Sequence, residues 1–216
     1  QIKVTFNIVI NNTTLPFERT VIYKYNDRVK GEVYNPFDVV PDVTSSFIEN
    51  VVIFNGEKTK TIGIKIKSGK DNIKGNLQLE LPDNWIVTPK SIPFTLEKNG
   101  TEQIVYFEVT APEQSDEAVA KSVAIIDDRR YDKEQIIIEY NHITKQQVLK
   151  YAEAKCIKLD LKTSDERIGY IMGAGDEVPK RLMQMGYKVT LLKPEDIIAE
   201  KLSNLDVIIT GVRAYN

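Results

Sequence analysis

The sequence predicts an antiparallel β-sandwich followed by a partial parallel β-α-β-α-β segment of flavodoxin-like order. Three observations carry this. From Pro41 to Ile143, seven strand-like runs are separated by turn dipeptides, with no convincing helix among them. The last fifty residues instead alternate short apolar runs with amphipathic stretches around Gly173-Ala174-Gly175. Pro36 and Pro41 mark a linker ahead of the seven runs. Residues 1–35, 36–143 and 144–216 are therefore expected as three units.

In the first unit, Ile2, Val4, Phe6, Ile8 and Ile10 recur with period two, the pattern of a half-buried strand. Asn11-Asn12-Thr13-Thr14 has turn chemistry, and Phe17–Tyr25 returns as a second strand. Two strands cannot bury a core alone, so they are expected to join a preceding β domain or to dock on the second unit. Asn11, Asn12 and Asn99 each begin an Asn-X-Thr tripeptide, either a glycan acceptor or turn chemistry.

The seven runs of the second unit are Thr44–Phe54, Thr59–Lys67, Gly75–Leu81, Trp85–Thr95, Glu102–Thr110, Ala118–Ile126 and Tyr131–Tyr140. Thr61–Lys67 places Ile62, Ile64 and Ile66 on one face and Lys65 and Lys67 on the other. Trp85 reads either as a core plug at one end of the sandwich or as an exposed sugar-stacking platform; packing is the simpler role for a lone large aromatic.

The third unit opens with Thr144–Glu153, a polar connector of modest helical character, and Ala154–Leu161, an alternating edge strand. Ile168–Met172 is then a buried-type strand, with Lys188–Leu192 the second strand and Asp206–Thr210 the third. Asp176 reads as the N-cap of the first helix, Pro179 fits its first turn, and Leu182, Met183 and Met185 form its apolar stripe. Gly186 ends it. Pro194 opens a second helix with Ile197, Ile198 and Leu202 facing inward.

With strand order 2-1-3, the loops after the first and third strands open on one crevice, where α/β sheets bind ligands. That places Gly173, Gly175, Asp176 and Glu177 opposite Gly211, Arg213 and Asn216. Arg213 could fork onto a carboxylate or phosphate, Asp176 could accept hydroxyl protons, and the glycines would admit a ligand to the backbone. A plain structural turn, with Asp176 only a helix cap, is the competing reading. A nicotinamide site is disfavoured: the third glycine position holds Val178, and Lys193-Pro194 stands where a ribose-binding acid belongs.

Composition excludes much else. The formal net charge of −2 supplies no concentrated basic face for nucleic acid or an anionic membrane. The apolar runs, such as Ile48–Phe54, are too short to span a bilayer. One cysteine, Cys156, precludes an intramolecular disulfide, and one histidine, His142, precludes a multi-imidazole zinc site. Cys156 has no adjacent base to activate it and reads as a small buried hydrophobe; His142 reads as a structural residue at a junction. The start at Gln1, without a signal-type segment, is what a mature or excised fragment would show.

Ile168–Leu192 (IGYIMGAGDEVPKRLMQMGYKVTLL) and Asp206–Asn216 (DVIITGVRAYN) resemble the C-terminal region of large bacterial PIG-L (LmbE-like) family deacetylases. Lys30–Pro41 (KGEVYNPFDVVP), Leu81–Leu96 (LPDNWIVTPKSIPFTL) and Ile136–Ile143 (IIIEYNHI) fit the same template. The resemblance implies an Ig-like sandwich module, followed by a class I amidotransferase-like, ThuA-like α/β domain cut short. It also implies a separate N-terminal N-acetylsugar deacetylase domain that binds zinc through a His-Pro-Asp-Asp type motif. This chain has neither that motif nor a cysteine after a later strand, so it is expected to be catalytically silent and to need no cofactor itself. Three roles follow as expectations: an accessory region supporting that catalytic domain, a carbohydrate-binding module, or an α/β hydrolase-like site completed elsewhere. A periplasmic or secreted location is favoured. The open third-strand edge would suit a homodimer through the α/β end.

Overall fold

The computed structural model describes residues 2–140 and 142–214. It opens with two hairpins. Strands β1 (Lys3–Ile10) and β2 (Thr13–Thr20) pair antiparallel, as do β3 (Ile22–Asp27) and β4 (Gly31–Pro36). Asn11 and Asn12 turn the first at φ 49° and 58°, a left-handed pair that suits the twist of a two-residue hairpin loop. The second turns on Asp27, whose carboxylate accepts from the N–H groups of Val29 and Lys30, both at 2.8 Å. Sequence reading expected two strands with one face half buried. Four strands form instead, and Val4, Phe6, Ile8, Ile10, Leu15 and Phe17 are all exposed on a single face of the first hairpin.

The sandwich begins at β5 (Val43–Phe47) and continues through β6 (Val51–Asn55), β7 (Thr59–Ser68), β8 (Ile73–Glu80), β9 (Ile86–Thr88) and β10 (Ile92–Leu96). Next come β11 (Glu102–Thr110), β12 (Asp116–Ile126) and β13 (Arg129–Tyr131). A further hairpin, β14 (Lys133–Ile138) with β15 (Gln146–Tyr151), precedes β16 (Glu153–Leu159). One sheet has the order β5-β7-β11-β9 and the other β10-β8-β12-β16-β6, with β13 against β12. All pairs are antiparallel except β16 with β6.

The core lies between these sheets. Ile62, Ile64, Ile66, Val105, Phe107 and Val109 meet Val52, Phe54, Leu77, Ala118, Ala120 and Cys156. Burying each large aliphatic contributes about 1.5–3 kcal/mol. The polar pair inside is matched: Ser122 Oγ donates to Ser45 Oγ at 2.7 Å, joining the two sheets. Trp85 is 3% exposed, edge-on to Phe54 at 5.2 Å, and its Nε1–H donates to Asp116. The core reading of Trp85 holds, and its ring offers no stacking face to a sugar.

The run Thr44–Phe54 is two strands in different sheets, because Ile48–Asn50 carries the chain across the sandwich. Trp85–Thr95 likewise divides, into β9 and β10. The polar connector at 144–153 is largely strand β15: its register with β14 sets Gln135 against Leu149 and Ile137 against Gln147, and Lys133 Nζ lies 3.0 Å from the centre of the Tyr151 ring. Ala154–Leu161 is no edge strand, since β16 sits inside its sheet between β12 and β6. That position explains why Cys156 and Ala154 are buried.

Beyond the sandwich, β17 (Arg167–Ile171), α1 (Val178–Gln184), β18 (Lys188–Leu192), a 3-10 turn at Pro194–Asp196, α2 (Ala199–Leu202) and β19 (Val207–Thr210) follow in order. The strands form a parallel sheet in the order β18-β17-β19. Helix α1 closes in a Schellman motif, with Gly186 N–H bonded to Met183 O and Tyr187 N–H to Leu182 O, and Gly186 at φ 103°. The expected second helix is only the 3-10 turn and the single turn of α2. Ile197 and Ile198, expected inside, are exposed; consecutive β-branched residues favour extended backbone there and interrupt the helix. Met183, expected in the α1 stripe, is also exposed.

Candidate functional site

Strand β17 delivers the Met172–Glu177 loop, and β19 delivers Gly211–Ala214, to the same end of the sheet. The loops touch. Gly211 N–H donates to Ile171 O at 2.8 Å, and Ala174 N–H donates to Val212 O at 3.0 Å. A Cβ added to Gly173 would lie 2.2 Å from Val212 O, and one added to Gly211 would lie 2.3 Å from Asp176 Oδ2. Both glycines are thus required for backbone to meet backbone, and the space between them is already filled by the Val212 carbonyl.

Asp176 is engaged on both oxygens. Its Oδ2 accepts from the hydroxyl of buried Tyr170, and its Oδ1 accepts from Val178 N–H at 3.1 Å. The hydrogen bond to Asp176, with burial second, pushes the Tyr170 phenol up to about 12. The N-cap expected at Asp176 falls one residue later, at Glu177, which makes no side-chain cap bond. Asp176 satisfies the first turn from outside it. Glu177 is exposed and lies 3.6 Å from Arg181. Gly175 at φ 65° and Arg213 at φ 60° are exposed at the rim. Of the seven residues expected to line the crevice, the structure therefore brings Gly173, Asp176 and Gly211 together and sets Gly175, Glu177 and Arg213 outward, with Asn216 outside the described residues.

A second constellation was not anticipated: a polar joint between α1 and the sandwich. Arg181 Nη1 donates to Val51 O at 2.5 Å. Gln184 Oε1 accepts from Ile53 N–H at 3.2 Å, while its Nε2 donates to Glu49 at 2.5 Å. From the other side, Asn55 Nδ2 donates to Met185 O at 2.6 Å, and Asn55 Oδ1 accepts from Leu161 N–H at 2.9 Å. In sequence, Arg181 and Gln184 look like an ordinary solvated helix face, and no local signal distinguishes them.

The remaining candidates are accounted for. Burial pushes the Cys156 thiol up to about 12, opposite to what a nucleophile needs. His142 is exposed, its ring 5.8 Å from that of Tyr140. Among the described residues, no group of three or more His, Cys, Asp or Glu side chains is placed to hold a metal ion. Among the same residues, no helix is long and apolar enough to cross a membrane.

No known family model matches the chain, and no curated protein matches it. Solved structures with some likeness include WR4, an MSP family member of C. elegans, at 8% identity and TM-score 0.31, covering 55% of this chain and 98% of that one. The SafA pilin in complex with the SafB chaperone of Salmonella enterica gives 14% identity and TM-score 0.33, over 58% of each chain. Native E. coli alpha-2-macroglobulin gives 9% identity and TM-score 0.35, over 73% of this chain and 8% of that one.

Proposed function

We propose that this chain is a non-catalytic accessory region of a PIG-L-type N-acetylsugar deacetylase, holding a zinc-dependent catalytic domain in position. In this reading the sandwich is the Ig-like module, the parallel sheet is the beginning of a flavodoxin-like, amidotransferase-type domain, and the setting is periplasmic or secreted. The observation that carries the accessory role is the joint. Arg181, Gln184 and Asn55 tie the parallel segment to the sandwich through backbone atoms of Val51, Ile53, Leu161 and Met185. Side-chain bonds to backbone fix an orientation more tightly than apolar contact does, because they are directional. A spacer held in one orientation by such bonds suits a region that presents one domain to another. The closed loop pair at Gly173 and Gly211 adds support, since both glycines and the Asp176 carboxylate serve the fold.

Two measurements test this. The purified chain with added zinc should release no acetate from N-acetylglucosamine oligomers; release would overturn the non-catalytic reading. When the chain is joined to a PIG-L deacetylase domain, the double variant Arg181→Ala, Gln184→Ala should lower kcat/KM on a polymeric substrate several-fold, sparing a monomeric one. Equal rates on both substrates would overturn the positioning role.

A further inference from the structure

We infer that a saccharide-binding cleft lies where the second hairpin meets the 37–40 linker and strand β15. Two open cavities of about 320 and 410 Å³ adjoin there and share Phe37, Asp38 and Gln147. Tyr23, Asn35, Pro36 and Lys145 complete the first. Each volume lies at the lower end of the roughly 300–1,000 Å³ usual for small-molecule sites.

The fold brings these groups together by strand register. Tyr23 on β3 and Asn35 on β4 are cross-strand partners, so the phenol ring and the amide stand side by side on one face. Phe37 and Asp38 follow directly on the end of β4, and Gln147 enters from β15. Tyr23 is 56% exposed and Phe37 46%, so both rings are open to a ligand. Tyr25, two residues along the same face, sets its ring 5.6 Å from that of Tyr23 and lengthens the aromatic surface. The opposite face of this hairpin is engaged within the protein: the Tyr34 hydroxyl donates to Glu32, and Lys24 sits 5.3 Å over the Tyr34 ring.

The chemistry of the lining selects the ligand. Exposed rings accept the C–H face of a pyranose, while the Asn35 amide, the Asp38 carboxylate and the Gln147 N–H groups, whose own oxygen accepts from Gln135, can bind its hydroxyls. Phosphate-rich ligands are disfavoured, because Asp38 stands in the cleft and Lys145 is paired with Glu139 at 3.3 Å. A neutral ligand with an apolar face and a hydroxyl rim fits both halves of the site. This cleft is distant in sequence from the α1 joint and does not depend on the accessory role.

The test is titration calorimetry of the intact chain with an N-acetylglucosamine tetramer, a cellotetraose and a proline-rich decapeptide. One or both saccharides should bind saturably. Tyr23→Ala and Phe37→Ala should each weaken binding tenfold or more, Asn35→Ala several-fold, and Tyr23→Phe, which keeps the ring, less than threefold. Because Tyr23 and Phe37 lie outside the core, a retained amide NMR spectrum of the sandwich shows that each variant is folded. No saccharide binding at millimolar concentration, binding that both alanine variants leave unchanged, or binding of the peptide alone would overturn the inference. None of these outcomes touches the acetate-release or joint measurements, so the two readings fail separately.

Discussion

Gly173 and Gly211 leave no room for a methyl group between their loops, since the nearest atoms to an added Cβ are backbone or a hydrogen-bonded carboxylate. Gly173→Ala or Gly211→Ala should therefore destabilise the parallel segment by about 1–3 kcal/mol, read from urea denaturation. Gly175→Ala meets open space and should cost only about 1–2 kcal/mol, from its left-handed backbone. These glycines were visible in sequence as a pair of special turns, but not their purpose. A ligand approaching the backbone and a loop approaching the backbone both demand a missing Cβ. Titration adds a second expectation. The ion pair with Arg167, and then the Arg167 N–H, hold Asp206 down to about 2, below the roughly 3.9 of a free aspartate. Its stabilisation is complete above about pH 4 and fades as pH falls towards 2. The urea midpoint of wild type should drop across that window, and Asp206→Asn should remove this component. Tyr170 works in the other direction: with its phenol raised to about 12, its contribution is full below about pH 10 and lost as pH climbs further.

At the scale of elements, strands with strict alternation were legible and those without it were not. Glu102–Thr110 is β11 to the residue, and Ile62, Ile64 and Ile66 face the core as their spacing required. The division between β5 and β6 was hidden because Ser46–Asn50 contains neither glycine nor proline to announce the crossing. Strand β15 was hidden because QQVLKY has no alternation of polarity between its faces, its stability coming from cross-strand pairs with β14. The buried position of β16 gives Cys156 a testable property. The thiol should resist maleimide at neutral pH in the folded chain and react fully in urea; rapid labelling of folded protein would contradict that placement. The joint yields another expectation. Asn55→Ala strips partners from Leu161 and Met185 and should cost about 1–3 kcal/mol. In a melt it should separate an early transition of the parallel segment from a later one of the sandwich.

For the whole molecule, apolar exposure is concentrated at both ends. Val4, Phe6, Ile8, Leu15 and Phe17 line one face of the first hairpin, and Val207 and Ile208 are open on β19. Association through the β19 end is expected to give a dimer in size-exclusion chromatography, reduced to monomer by Ile208→Lys. A dimer that survives this change but yields to Phe6→Lys would place the contact at the hairpin instead. The sandwich as a class was readable from strand spacing. The contacts between its parts were not, because Arg181 and Gln184 lie about 130 residues from the strand they hold and carry no pattern that links them to it.

The joint has one more consequence. Strand β6 is the last in its sheet, and its outward atoms include Val51 O and Ile53 N–H, the very groups that Arg181 and Gln184 occupy. An open strand border of this kind recruits the border of a neighbouring molecule. The short helix thus acts as a stopper against strand-by-strand growth. A chain ending after Leu159 should keep its sandwich yet scatter light on standing, and a charged residue placed along β6 should slow that growth.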